Sequence, residues 1–268
     1  MKRFLAIALC FLMLFLAACT SNNNQSNENT KAEETYEIIQ KELLTPETVI
    51  AELCGLGDFA CMLQTPGCNE VYNSQINLSE PVVKSYRFYD NNTGEYVHLL
   101  CLASVDDAKM ASYAYDGYDY TNRLGAMYLF GTAECIEDLS FSGYKYPDSF
   151  EAEGADSDPE SVAGIVKAIE DKTELCGGYY SVESIEETKN KINQKFTLEG
   201  GILNLVHLTY HDGTVLRFVY IYEFESENDA VLYEEDRAAF SQGVEDGVCI
   251  RIGTKVVFGN HSIVSEIG

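Results

Sequence analysis

The stretch SYAYDGYDYTN, from Ser112 to Asn122, places Tyr113, Tyr115, Tyr118 and Tyr120 close together, interleaved with Asp116 and Asp119. Tyrosine presents a rigid ring with a polar tip, a chemistry suited to sugar or peptide recognition. Asp116, Asp119 and Asn122 could also offer oxygens to an extracellular calcium ion, although their spacing is not that of an EF-hand loop. The same rings could instead cover a sheet and close a helix end. The four tyrosines and two aspartates are therefore candidate ligand contacts, and no metal site is assigned.

Cysteine and histidine are the other reactive residues. Setting aside Cys10 and Cys19 leaves Cys54, Cys61, Cys68, Cys101, Cys135, Cys176 and Cys249. Their number is odd, so at least one thiol stays free unless it pairs between molecules. Cys54, Cys61 and Cys68 recur every seven residues, about 10 Å apart on a helix and too far for one metal ion. Gly55, Gly57 and Pro66 could fold that segment back, which leaves a disulfide there open. Cys101 and Cys135 lie in apolar runs and read as small buried hydrophobes. His207 and His211 share a strand face but sit about 13 Å apart along it. No nucleophile motif, zinc-protease motif, P-loop or dinucleotide fingerprint occurs, so no catalytic residue and no cofactor is expected.

These residues need a frame, and the chain carries one twice. RLGAMYLFG (Arg123 to Gly131) returns as RIGTKVVFG (Arg251 to Gly259). Aligning Ser104 with Ser226 also aligns Asp107 with Asp229 and Ala108 with Ala230. TPETVIAELCGL from Thr45 aligns with DPESVAGIVKAI from Asp158. Each copy begins with a helix capped at Thr45 or Asp158, with Pro46 or Pro159 in its first turn. Val162, Ile165, Val166 and Ile169 form the apolar stripe of such a helix. A hairpin follows, turning at Asp90-Asn91-Asn92-Thr93-Gly94 in one copy and at Asp212-Gly213 in the other. Ser104 to Asp107 and Ser226 to Asp229 have capping-box spacing and open a second helix. The paired glycine sequences close each copy as strands joined through a turn or bulge.

The expected architecture is thus α+β: a tandem duplication of a helix–hairpin–helix–strand unit, its helices packed on one face of an antiparallel sheet. Residues 36–150 form one repeat and 151–268 the other, divided by the acidic, turn-rich stretch from Asp148 to Asp158. Phe59 to Pro81 and Gly177 to Leu198 carry no clear signal, apart from a polar-faced helix over Glu183 to Lys195.

The N-terminus supplies an address. Lys2 and Arg3 precede an uncharged apolar run from Phe4 to Phe15, too short to span a bilayer. Leu16-Ala17-Ala18-Cys19 follows and resembles the lipobox of bacterial lipoprotein precursors. That resemblance covers only the first nineteen residues. It implies a signal peptide over 1–18, a diacylglyceryl thioether on Cys19 and acylation, for example by palmitate, of the new amine. Two or more acyl chains hold a protein stably on a membrane. Residues 19–35 are polar and read as a tether with a reach of roughly 20 Å.

Without its signal the chain carries 16 basic against 43 acidic side chains. Such a balance argues against nucleic acid as a partner. The expected function is that of a membrane-anchored lipoprotein on the extracytoplasmic face of a bacterial membrane. It would bind a protein, peptide or glycan without catalysis, in a groove between the copies or at the tyrosines. The alternatives are a cell-envelope hydrolase and the solute-binding component of a transporter, whose usual parallel-sheet lobes the hairpins here do not suggest.

Overall fold

Leu99, Leu100, Cys101 and Leu102 follow one another without a polar residue between them, and all four are fully buried. Successive strand residues point to opposite faces, so such a run leaves neither face for water. The computed structural model describes residues 41–152, 158–179, 182–212, 215–241 and 247–267. The expected signal peptide over 1–18, Cys19 and the expected tether over 19–35 lie outside the described residues. Helices cover both faces of the sheet rather than the one expected, because apolar residues line both sides of its strands.

The first half runs α1 (Pro46–Leu56), β1 (Phe59–Gln64), α2 (Pro66–Gln75), β2 (Lys84–Asp90), β3 (Tyr96–Cys101), α3 (Val105–Ala114), β4 (Tyr120–Leu124), β5 (Met127–Gly131) and α4 (Cys135–Asp138). The second runs α5 (Val162–Thr173), β6 (Gly177–Tyr179), α6 (Val182–Lys195), β7 (Ile202–Asp212), β8 (Val215–Phe224), α7 (Glu227–Ser241), β9 (Gly247–Ile252), β10 (Lys255–Asn260) and α8 (His261–Val264). The element order is the same in both. The unassigned stretches thus hold β1 with α2 and β6 with α6.

All pairings among these strands are antiparallel and join them in the order β4-β5-β3-β2-β1-β6-β7-β8-β10-β9. Read outward from the centre, each half gives its strands in one sequence. The centre is the pairing of β1 with β6, Leu63 opposite Tyr179 and Gln64 opposite Gly178. On one face Val49 and Leu53 of α1 pack with Phe88, Leu99 and Met127. Beside them Ile165, Val166 and Ile169 of α5 pack with Leu208, Val219 and Ile221. On the other face α2 and α3 bring Tyr72, Ile76, Ala108 and Ala111 onto Leu100, Tyr128 and Phe130. There α6 and α7 bring Ile192, Ala230 and Tyr233 onto Leu205, Tyr222 and Phe224.

Local chemistry repeats as well. Thr45 caps α1 by accepting from the Thr48 N–H, and Ser161 caps α5 by accepting from the Gly164 N–H. The expected start of α5 at Asp158 is therefore corrected by three residues: Asp158 and Pro159 sit in a preceding turn, where the Asp158 carbonyl accepts from the Ser161 N–H and hydroxyl. Ser104 and Ser226 each accept from the N–H of the aspartate three residues on. Those aspartates then reach back to the loop before the hairpin. Asp107 accepts from the Ser79 N–H at 2.7 Å, and Asp229 from the N–H groups of Glu199, Gly200 and Gly201 at 2.8–3.2 Å. Desolvation pushes the Asp229 carboxyl up, but these donors and the Ser226 hydroxyl outweigh it and hold its pKa below the usual value.

The glycines of the twin sequences have two tasks. Gly125 and Gly253 turn the β4–β5 and β9–β10 hairpins in the left-handed region, at φ of 68° and 57°. Gly131 and Gly259 lie so close to the neighbouring strand that an added Cβ would strike the carbonyl oxygens of Tyr96 and Phe218. The first hairpin turns as expected, with Asp90 Oδ1 accepting from the Asn92 and Thr93 N–H groups. Residues 213–214 of the second turn lie outside the described residues, as do 153–157 of the expected boundary. Among the described residues no helix is long and apolar enough to cross a membrane.

Candidate functional site

The tyrosine segment leaves the last turn of α3, where Tyr115 occupies the C-cap, and runs into β4. Its rings part company there. Tyr115, 7% exposed, stacks on Phe130 of β5 with centroids 4.1 Å apart, and Tyr118 meets the same ring edge-on at 4.8 Å. The Tyr115 hydroxyl donates to Gln75 Oε1, and burial pushes its phenol up to about 12. Tyr120 packs instead on the opposite face, with the α1 core. Tyr113 is 61% exposed, and Asp116 and Asp119 are exposed too. The Asn122 amide donates to the carbonyls of Ile136 and Leu139 and so anchors α4. A shallow concavity of about 400 Å³ is lined by Tyr96, Tyr115, Tyr118, Asp119 and Thr132. Of the six candidates the fold brings Tyr115, Tyr118 and Asp119 to this concavity. Tyr113, Asp116 and Tyr120 are not among its walls.

Behind these rings lies His98 of β3. It stacks on Phe130 at 4.9 Å and shares a 2.7 Å hydrogen bond with the Tyr72 hydroxyl. Burial, helped by the nearby Arg87 charge, lowers its pKa to about 3, so it is neutral at ordinary pH.

A groove of about 540 Å³ runs between α2 and α5, where the halves meet. Glu170 from α5 accepts from the Thr65 hydroxyl and, at 2.9 Å, from the Gly67 N–H. Burial pushes its carboxyl up, and these donors oppose that. Thr65 and Gly177 exchange backbone and hydroxyl bonds beside it, and a disulfide joins Cys68 to Cys176. The disulfide closes 108 residues of chain, a constraint that stabilises by about 5 kcal/mol in the loop-entropy account. These groups hold the seam.

On the face that carries α2, α3, α6 and α7 the seam has a hollow of about 120 Å³. Its walls are Ala60, Met62, Arg87, Tyr89, Asn91, Thr209 and Leu216. Leu216 is 48% exposed and its face-mate Phe218 43%. Arg87 Nε and Thr209 Oγ1 are both buried without a hydrogen-bond partner. Arg87 stands opposite Met62 and His98 in the sheet, with no carboxylate beside it in either ladder. Sequence reasoning passed over these residues. The only signal was an arginine inside the strand KSYRFYD, which alternation sends to the face that Tyr86 and Phe88 do not share.

Among the described residues the remaining cysteines, Cys54, Cys61, Cys101, Cys135 and Cys249, are free. Burial pushes the Cys61 and Cys101 thiols up to about 12 and Cys249 to about 11, the reverse of what a nucleophile needs. Among the described residues no group of three or more His, Cys, Asp or Glu side chains is placed to hold a metal ion. No protein family, curated protein or solved structure matches the chain.

Proposed function

We propose that this protein is a lipoprotein held by an acylated Cys19 on the extracytoplasmic face of a bacterial membrane, and that it works by binding a ligand at the seam between two duplicated halves. The duplication is supported by the common element order, the common strand order outward from β1 and β6, and the paired caps at Ser104–Asp107 and Ser226–Asp229. The anchor is supported by the lipobox Leu16-Ala17-Ala18-Cys19 behind its apolar run. The observation that carries the binding reading is the uncovered apolar hollow at the seam, where Leu216 stands open and shares the walls with Ala60, Met62 and Tyr89. Isolated apolar side chains at a surface mean little, but several around one hollow mark a contact site.

Two experiments test this. Labelled palmitate should enter the wild type and not Cys19→Ala; equal labelling would remove the anchor from the proposal. A thermal-shift screen of the full chain against short peptides, sugars, and small organic acids and bases should find at least one class that raises Tm. Leu216→Glu, at a wall of the hollow, should abolish that rise. Silence from every class would sink the binding reading.

A further inference from the structure

We infer that the concavity beside α3 binds a free quaternary ammonium cation, its methyl groups in the corner between the Tyr96 and Tyr118 rings and its charge beside Asp119. This site shares no wall residue with the seam hollow and does not depend on the binding reading above.

Tyr96 and Tyr118 stand at 88° to each other with ring centroids 6.5 Å apart, and Tyr118 meets Tyr115 at 76° and 5.8 Å. Rings that meet at a right angle share a corner bounded by a face of each. The face is the negative part of an aromatic ring, so such a corner attracts a cation from two sides. The corner is also held in place. Thr132 donates its N–H to the Tyr96 carbonyl at 3.0 Å, and its hydroxyl accepts from the Tyr96 N–H at 3.1 Å. The Tyr118 ring rests on Phe130 at 4.8 Å, and the Tyr118 N–H donates to the Tyr115 carbonyl at 3.3 Å.

Charge decides which guest the corner takes. The walls hold Asp119 and, among the described residues, no lysine, arginine or histidine. The next residue, Tyr120, has its phenol pKa pushed up, most by Glu134 and further by Glu137, Asp119 and Glu95, which marks a negative field at this edge of the sheet. With 43 acidic against 18 basic side chains, the whole chain adds to the same sign. An anion would meet Asp119 with like charge. A primary ammonium is strongly hydrated and brings three N–H donors that these ring faces cannot satisfy. A quaternary ammonium has no N–H and spreads its charge over methyl groups, the form that aromatic walls hold best. The volume of about 400 Å³ leaves room for such a head group with a short chain.

The test is isothermal titration calorimetry on the full chain with choline, with neohexanol, in which carbon replaces the nitrogen, and with methyl glucoside. Choline should bind about tenfold or more tighter than neohexanol. Tyr118→Leu keeps apolar volume and removes the ring face, so it should weaken choline about tenfold. Tyr118→Phe keeps the face and should stay within about threefold of the wild type. Asp119→Asn guards against misfolding as an explanation, because Asp119 is exposed. It should leave Tm unchanged and weaken choline about threefold. Leu216→Glu should leave choline affinity unchanged, since Leu216 lines only the seam hollow. Equal binding of choline and neohexanol, or unchanged choline affinity in Tyr118→Leu, overturns the inference. So does tighter binding of methyl glucoside, which would assign the concavity to a sugar, or of phosphorylcholine, which would assign it to a lipid headgroup. Loss of choline binding in Leu216→Glu also overturns it, by moving the cation to the seam. If choline fails while another class raises Tm and loses that rise in Leu216→Glu, this inference falls and the seam reading stands.

Discussion

The two halves cover the same ring with different chemistry. Phe130 on β5 lies under Tyr115, stacked at 4.1 Å, whereas its counterpart Phe258 on β10 lies under the Arg237 guanidinium at 5.9 Å. His98 on β3 stacks on Phe130; its counterpart Tyr220 on β8 lies tilted at 6.5 Å from Phe258. A large ring also changes its source. In the first half it comes from Tyr72 of α2, opposite the small Ala111 of α3. In the second it comes from Tyr233 of α7, opposite Ile192 of α6. Both halves keep an aspartate that ties the loop before the hairpin, Asp107 through Ser79 and Asp229 through Glu199, Gly200 and Gly201. Backbone donors in a turn admit few substitutes, whereas apolar volume can be redistributed as long as the total is kept. The comparison separates what holds the scaffold from what each half is free to vary.

The ties should therefore carry the largest and most even effects. Asp107→Ala and Asp229→Ala each remove a buried carboxylate that ties a loop by charge-assisted hydrogen bonds, and each should cost about 3 kcal/mol in urea unfolding. The two losses should agree within about 1 kcal/mol, by the same principle. A heavy loss in one half and a slight one in the other would break the claim that the tie is shared.

The exchanged rings should show compensation next. Tyr72→Ile and Ala111→Tyr give the first half the pattern of the second. Each alone leaves a void or overfills the α2–α3 core. The double variant should be about 2 kcal/mol more stable than the sum of the single losses. Strict additivity would show that the two positions do not trade volume.

How much of this was legible depended on distance along the chain. The caps at Ser104 and Ser226, the Asp90 turn and the hairpin glycines declare themselves within four or five residues, because each satisfies its own local hydrogen bonds. The start of α5 misled because two good caps, Asp158 and Ser161, stand three residues apart. β6 carries three residues, two of them glycine, and exists only because Gln64 and Thr209 lie on either side of Gly178. The Cys68–Cys176 bond joins positions 108 residues apart, and only the seam brings them together. The tyrosine run was visible as a composition. Its division between two faces and solvent followed from where α3 stops, at Ala114, which composition does not reveal.

The histidines give a smaller, pH-dependent contrast. Burial lowers His98 to about 3 and His207 to about 4, both below the ordinary 6.5. As pH falls below 6.5 the unfolded chain takes up protons first. Stability should then decline until each folded pKa is reached, by at most about 1.4 kcal/mol per pH unit for each histidine. His98→Phe keeps a ring on Phe130 and removes one titration, so its urea midpoint should fall less than that of the wild type between pH 6.5 and 5. Parallel slopes would mean that His98 is not held neutral by its burial.

The smallest effect belongs to Tyr113, and it divides structure from contact within one segment. Its ring stands in solvent at the end of α3, two residues before the buried Tyr115, and its counterpart in the second half is Glu235, mid-way through α7. A side chain so exposed contributes little to packing. Tyr113→Ala should change the unfolding free energy by no more than about 0.5 kcal/mol, the usual range for a surface substitution. A larger loss would mean that Tyr113 closes the helix end, as Tyr115 does. A neutral result leaves Tyr113 free for contact.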